Sequence, residues 1–105
     1  MEMSDASGTN LLDVPNRCWS REICDKIGLP MDMLPPLVES SDVAGTITVE
    51  AAKLTGLPVG MPVAAGAGDN MAAAIGTGVV KEGKAFTTIG TSGVVFAHTD
   101  KLAID

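Results

Sequence analysis

Val63-Ala64-Ala65-Gly66-Ala67-Gly68-Asp69-Asn70-Met71-Ala72-Ala73-Ala74-Ile75-Gly76, continued by Ala85-Phe86-Thr87-Thr88-Ile89-Gly90-Thr91-Ser92-Gly93-Val94-Val95-Phe96-Ala97, is the stretch that decides the fold. Val63 to Ala65 reads as a buried strand, Gly66-Ala67-Gly68 as a tight turn, and Asp69-Asn70 as the opening of an alanine-rich helix through Ile75. Gly76 and Gly78 end that helix, Glu82-Gly83 supports a reversal, and Ala85 to Ile89 reads as a strand. The turn Gly90-Thr91-Ser92-Gly93 then leads into a last strand, Val94 to Ala97. The order strand, helix, strand, turn, strand places this half of the chain in the α/β class.

Asp69 falls at the carboxyl end of a predicted strand, beside glycine, which is where open α/β sheets expose ligand-binding groups. Two readings follow from the pattern alone: a helix cap accepting backbone N–H donors, or a site residue able to orient a hydroxyl and take its proton. A carboxylate there is also favoured by the helix dipole. Gly90-Thr91-Ser92-Gly93 likewise has two readings. It is either an ordinary hairpin turn or a cradle of N–H and hydroxyl donors for a tetrahedral anion. Neither GxxxxGK[ST] nor GxGxxG occurs, so a nucleotide would need a different architecture.

Upstream, Ser20 is placed to cap a helix to about Ile27, with Ile23 and Ile27 on one face and Gly28 as its stop. Thr48 caps a second helix, Val49 to Thr55, that Gly56 ends. Residues 2–15 read as a loop leading into a short extended piece, with Asp5 bracing its turn, and the proline-broken Leu29 to Leu37 as a packed loop. Val43 to Ile47 suggests a turn and a short extended piece. The punctuated Leu57 to Pro62 loop is the expected internal boundary.

Composition narrows the function classes. The chain has 105 residues, 46% of them hydrophobic and 19% charged, too apolar for a disordered segment and long enough for at most one complete domain. Thirteen acidic against seven basic residues, a net charge of −6, leave no basic patch and argue against nucleic acid. The uncharged run Leu54 to Gly68 is broken by glycine and proline, so no membrane span is expected. No export signal opens the sequence, and Cys18, Cys24 and the single His98 match neither a CxxC pair nor a zinc site; a cytoplasmic protein with reduced thiols is expected. Trp19, Phe86 and Phe96 are the only aromatics, few for a free-standing domain.

Met3-Ser4-Asp5-Ala6-Ser7-Gly8-Thr9, Leu12-Asp13-Val14, Trp19-Ser20, Leu34-Pro35, Gly45, Thr55-Gly56-Leu57, Gly66-Ala67-Gly68-Asp69-Asn70 and Gly90-Thr91-Ser92-Gly93, in this order, resemble the FGGY carbohydrate kinase family over almost the whole chain. The most specific part is Gly68-Asp69-Asn70 followed about twenty residues later by Gly90-Thr91-Ser92-Gly93. The resemblance implies an α/β fold of the actin-like, ribonuclease H-like ATPase type, present only in part. Residues 1–60 would close an N-terminal sugar-binding domain and hinge, and 61–105 would begin a C-terminal ATP-binding domain. It further implies ATP and Mg2+ as cofactors and Asp69 as the base that deprotonates the sugar hydroxyl, with Asp69 and Asn70 contacting the sugar. Gly90, Thr91, Ser92 and Gly93 would face the ATP phosphates, and no residue of this segment is assigned to the metal. The implied reaction is phosphorylation of D-xylulose at its 5-hydroxyl, with glycerol, ribulose or gluconate as other substrates of the family and a non-catalytic binding module as the remaining reading. A small ketopentose is thus the expected partner, a homodimer is possible for the family, and the segment by itself is expected to be inactive.

Overall fold

The computed structural model describes residues 1–102. They form two compact units, Met1–Ala67 and a second that begins at Gly68.

The first unit opens with helix α1, Met3–Ser7, where a loop is predicted. Its cap is Glu2, whose carboxylate accepts from the N–H of Ser4 at 2.9 Å and of Asp5 at 3.1 Å. Glutamate is not among the usual cap residues, so no start signal is visible in the sequence. Here the long side chain is buried and reaches back over the first turn, and it also accepts from the Ser40 hydroxyl at 2.7 Å. The turn that follows, at which the Asp5 side chain is expected, is held by the Ser7 hydroxyl donating to the Ser4 carbonyl at 2.6 Å and the Thr9 hydroxyl donating to the Ala6 carbonyl at 2.7 Å. Strands β1, Leu12–Asp13, and β2, Cys18–Trp19, pair antiparallel. The Trp19 indole N–H donates to the Pro35 carbonyl at 2.8 Å, pinning the proline-rich segment, whose only regular turn is a 3-10 helix at Met31–Met33.

Helix α2, Arg21–Ile27, begins and ends where its capping residues predict: the Ser20 hydroxyl accepts from Ile23 N–H, and Gly28 is left-handed at φ 70°. The buried position is Cys24, however, while Ile23 and Ile27 are 38% and 61% exposed. The isoleucine stripe is real but faces away from the rest of this unit.

Strand β3, Val43–Thr46, pairs antiparallel with β4, Pro62–Ala64, through Val43↔Ala64, Gly45↔Val63 and Thr46↔Pro62, with an irregularity between Val43 and Gly45. Between them lies helix α3, Val49–Thr55, capped by the Thr48 hydroxyl on Ala51 N–H at 3.1 Å and closed by left-handed Gly56 at φ 77°. The pairing joins residues on both sides of positions 60 and 61, and the compact units part between Ala67 and Gly68. All of β4 is exposed rather than buried, because only one edge is paired and neither face is covered within the unit. A Cβ at Gly56 meets nothing within 4 Å, so Gly56→Ala carries backbone strain alone. It should destabilise α3 by about 1 kcal/mol, read as faster amide exchange across Val49–Thr55.

The second unit contains helix α4, Asp69–Gly76, and a hairpin of β5, Ala85–Ile89, and β6, Gly93–Ala97. Its register is Ala85↔Ala97, Phe86↔Phe96, Thr87↔Val95, Thr88↔Val94 and Ile89↔Gly93. Ala74 and Val79 are buried, joined by a Val79 N–H to Ala74 carbonyl bond of 2.7 Å, and the Phe86 and Phe96 rings stack at 5.2 Å. By strand alternation Phe86, Thr88, Val94 and Phe96 share one face of the hairpin. The other face carries Ile89 and Val95, 88% and 77% exposed. Among the described residues no helix is long and apolar enough to cross a membrane.

Candidate functional site

The second unit brings the two chemistry-bearing motifs into one pocket. A cavity of about 460 Å3 is lined by Asp69 and Asn70 from the start of α4, and by Thr88, Ile89, Gly90, Thr91, Ser92 and Val94 from the hairpin tip. Gly93 already belongs to β6 and is not part of the lining.

Asp69 is the first residue of α4, and the cap position is Gly68. The carboxylate does not reach over the helical turn; its Oδ1 accepts from the N–H of Asn70 at 2.7 Å. This one bond orients the group, and Asp69 is exposed and lines the cavity. The Asn70 amide makes no hydrogen bond to another described residue.

In the turn, Gly90 N–H donates to the Ser92 carbonyl at 2.9 Å, so it is not available to an anion. The N–H groups and hydroxyls of Thr91 and Ser92 bond to no other described residue, so the turn presents four donors. Gly90 and Gly93 are not among the glycines with left-handed φ, so handedness is not what the turn asks of them. A Cβ on either would first meet a backbone carbonyl at 3.9 Å, so these positions leave open space beside the donors.

The lining holds one charged side chain, Asp69, and no Lys or Arg. Phosphate oxygens would therefore meet neutral donors only. Among the described residues no three His, Cys, Asp or Glu side chains lie together. A second cavity, of about 320 Å3, lies in the first unit, but its charged groups are engaged: Glu2 by Ser4, Asp5 and Ser40, and Arg17 by an ion pair with Glu39. His98 contacts Asp100 at 3.1 Å and stands outside both cavities, while Cys18 and Cys24 are free thiols.

Thr88, Ile89 and Val94 were not singled out from the sequence. The period-2 alternation back from the turn is the signal that finds Thr88 and Val94, since both share the Phe86 and Phe96 face.

Comparison with known proteins matches residues 1–76 to the model of the FGGY family of carbohydrate kinases, N-terminal domain. That match includes Asp69 and all of α4; the Gly90–Gly93 turn lies beyond it. Xylulose kinase of Bacillus subtilis is 44% identical over 100 residues, covering 95% of this chain and 20% of the relative. A crystal structure of a "xyloylose kinase" from Brucella ovis aligns with TM-score 0.80 at 49% identity, over 91% of this chain and 20% of that one. The ligand-bound xylulose kinase from Lactobacillus acidophilus aligns over 100% of this chain and 21% of its own, with TM-score 0.91 at 25% identity. The chain thus spans about a fifth of the length of the relatives it matches.

Proposed function

The chain belongs to the FGGY family of carbohydrate kinases, with its actin-like, ribonuclease H-like α/β fold, and from that premise we propose that it contributes the phosphotransfer site of an ATP-dependent D-xylulose kinase. The observation that carries this reading is that one cavity is lined both by Asp69 and by Thr91 and Ser92, whose donors bond to no other described residue. A base for the incoming hydroxyl and donors for the phosphoryl oxygens are the two parts that phosphoryl transfer asks of a protein.

Asp69 takes the proton of the sugar 5-hydroxyl as the new O–P bond forms and the bond to the departing ADP oxygen breaks. The Asn70 N–H holds Oδ1, so the proton goes to Oδ2 in a fixed orientation. Thr91 and Ser92 donate to the phosphoryl oxygens as charge shifts among them. ATP, when bound, supplies the phosphoryl group.

The segment by itself is inactive on this reading, since it spans a fifth of its relatives. Pairing of copies, implied by the resemblance, and a cytoplasmic location, expected from the cysteine pattern, belong to the same proposal. The test is sugar-dependent ADP release by the full-length chain containing this segment, offered D-xylulose, ribulose, glycerol and gluconate. Preferential turnover of D-xylulose is expected. Preference for another sugar would keep the family and move the substrate, and no turnover in a folded chain would remove the kinase reading.

A further inference from the structure

We propose that Thr88 is a further phosphoryl-binding residue, its hydroxyl donating to the group in transit between the Gly90–Gly93 turn and Asp69. This deepens the reading above and rests on it.

Thr88 and Val94 are directly opposed in the hairpin, one pair back from the turn, and both line the cavity that Asp69 also lines. Two residues further back on the same face, Phe86 and Phe96 stack at 5.2 Å, which fixes the face that Thr88 presents. The Thr88 hydroxyl bonds to no other described residue, although it is the one polar group on that face of the strand pair beside the turn. Threonine is β-branched and stiff at χ1, so a donor on this strand is set before any ligand arrives.

The cavity also has a need for it. Asp69 repels a phosphoryl group approaching from the turn, and no Lys or Arg lines the cavity to offset that. Neutral donors must therefore follow the phosphoryl group along its path. Thr91 and Ser92 lie on the turn and Asp69 on α4, which leaves Thr88 as the strand-borne hydroxyl among the lining residues. Val94, its cross-strand partner, lines the cavity from the same face of the hairpin.

The test uses the full-length chain with Thr88→Val, Thr88→Ser and, as reference, Asp69→Asn. Thr88→Val should lower kcat/KM for ATP by about tenfold or more, and Thr88→Ser should stay within about threefold, because the hydroxyl is the group that matters. ADP lacks the transferred phosphoryl group, so its Kd should be unchanged in Thr88→Val, a separation that a general loss of structure does not produce. If the valine variant does not fold, Thr88→Ala is read in its place by the same criteria. Wild-type turnover by Thr88→Val beside an inactive Asp69→Asn overturns the proposal alone, as does an equal loss in Thr88→Ser or a parallel loss of ADP affinity. Wild-type turnover by Asp69→Asn overturns the site and the proposal with it.

Discussion

Asp69→Asn in the full-length chain is expected to lower kcat for D-xylulose by roughly 10²- to 10⁴-fold while KM for ATP stays near its wild-type value. The amide keeps an Oδ1 that accepts from Asn70 N–H, so the start of α4 has no structural reason to change. What the variant loses is the second carboxylate oxygen, the only proton acceptor with a charge in the cavity lining. The loss should therefore fall on kcat, and equilibrium binding of nucleotide measured by calorimetry should persist. A variant that turns over at the wild-type rate would show that Asp69 serves α4 and not the reaction.

The second large effect concerns Glu2. Burial pushes its carboxyl pKa up, yet the Ser4 hydroxyl and N–H, the Ser40 hydroxyl and the Asp5 N–H outweigh burial and hold it at about 2, below its ordinary 4.5. A folded-state value below the unfolded one is a source of stability that is complete above about 4.5 and is lost as pH falls from there toward 2. The difference corresponds to at most about 3 kcal/mol for the first unit. Glu2→Gln should remove much of this at neutral pH, and stability should then be nearly flat across the acid window where the wild type falls. Amide exchange at Ser4 and Asp5, followed against pH, reads both effects locally.

The sequence was most legible where a cap residue and a stop residue bracket an element. Ser20 with Gly28 and Thr48 with Gly56 place α2 and α3 closely, because each end is set by a local hydrogen bond or a left-handed residue that needs no tertiary partner. The hairpin around Gly90–Gly93 was legible for the same reason of locality. Helix α1 was not, since its cap is a glutamate whose usefulness comes from burial and from Ser40, far along the chain. Burial itself was the least legible property. Val63 and the Ile23–Ile27 stripe look like core and are exposed, because apolar patterning tells which faces seek cover and not what covers them. Asp69 and the turn could be named from sequence; that they line one cavity, and that Thr88 joins them, depends on how the hairpin register meets α4.

The three strand pairs also differ in what it takes to close them. Strands β1 and β2, like β5 and β6, are joined by turns of a few residues, whereas β3 and β4 must meet across about fifteen residues that include α3. Loop-closure entropy makes that last pairing about 1 to 1.5 kcal/mol costlier than a short hairpin. A helix fixed at both ends, by Thr48 and by Gly56, replaces most of that floppy span with a rod and brings Thr46 and Pro62 within reach of each other. The two caps thus act on the folding rate as well as on the folded state, and Gly56→Ala should slow the formation of β3–β4 rather than only hasten its loss.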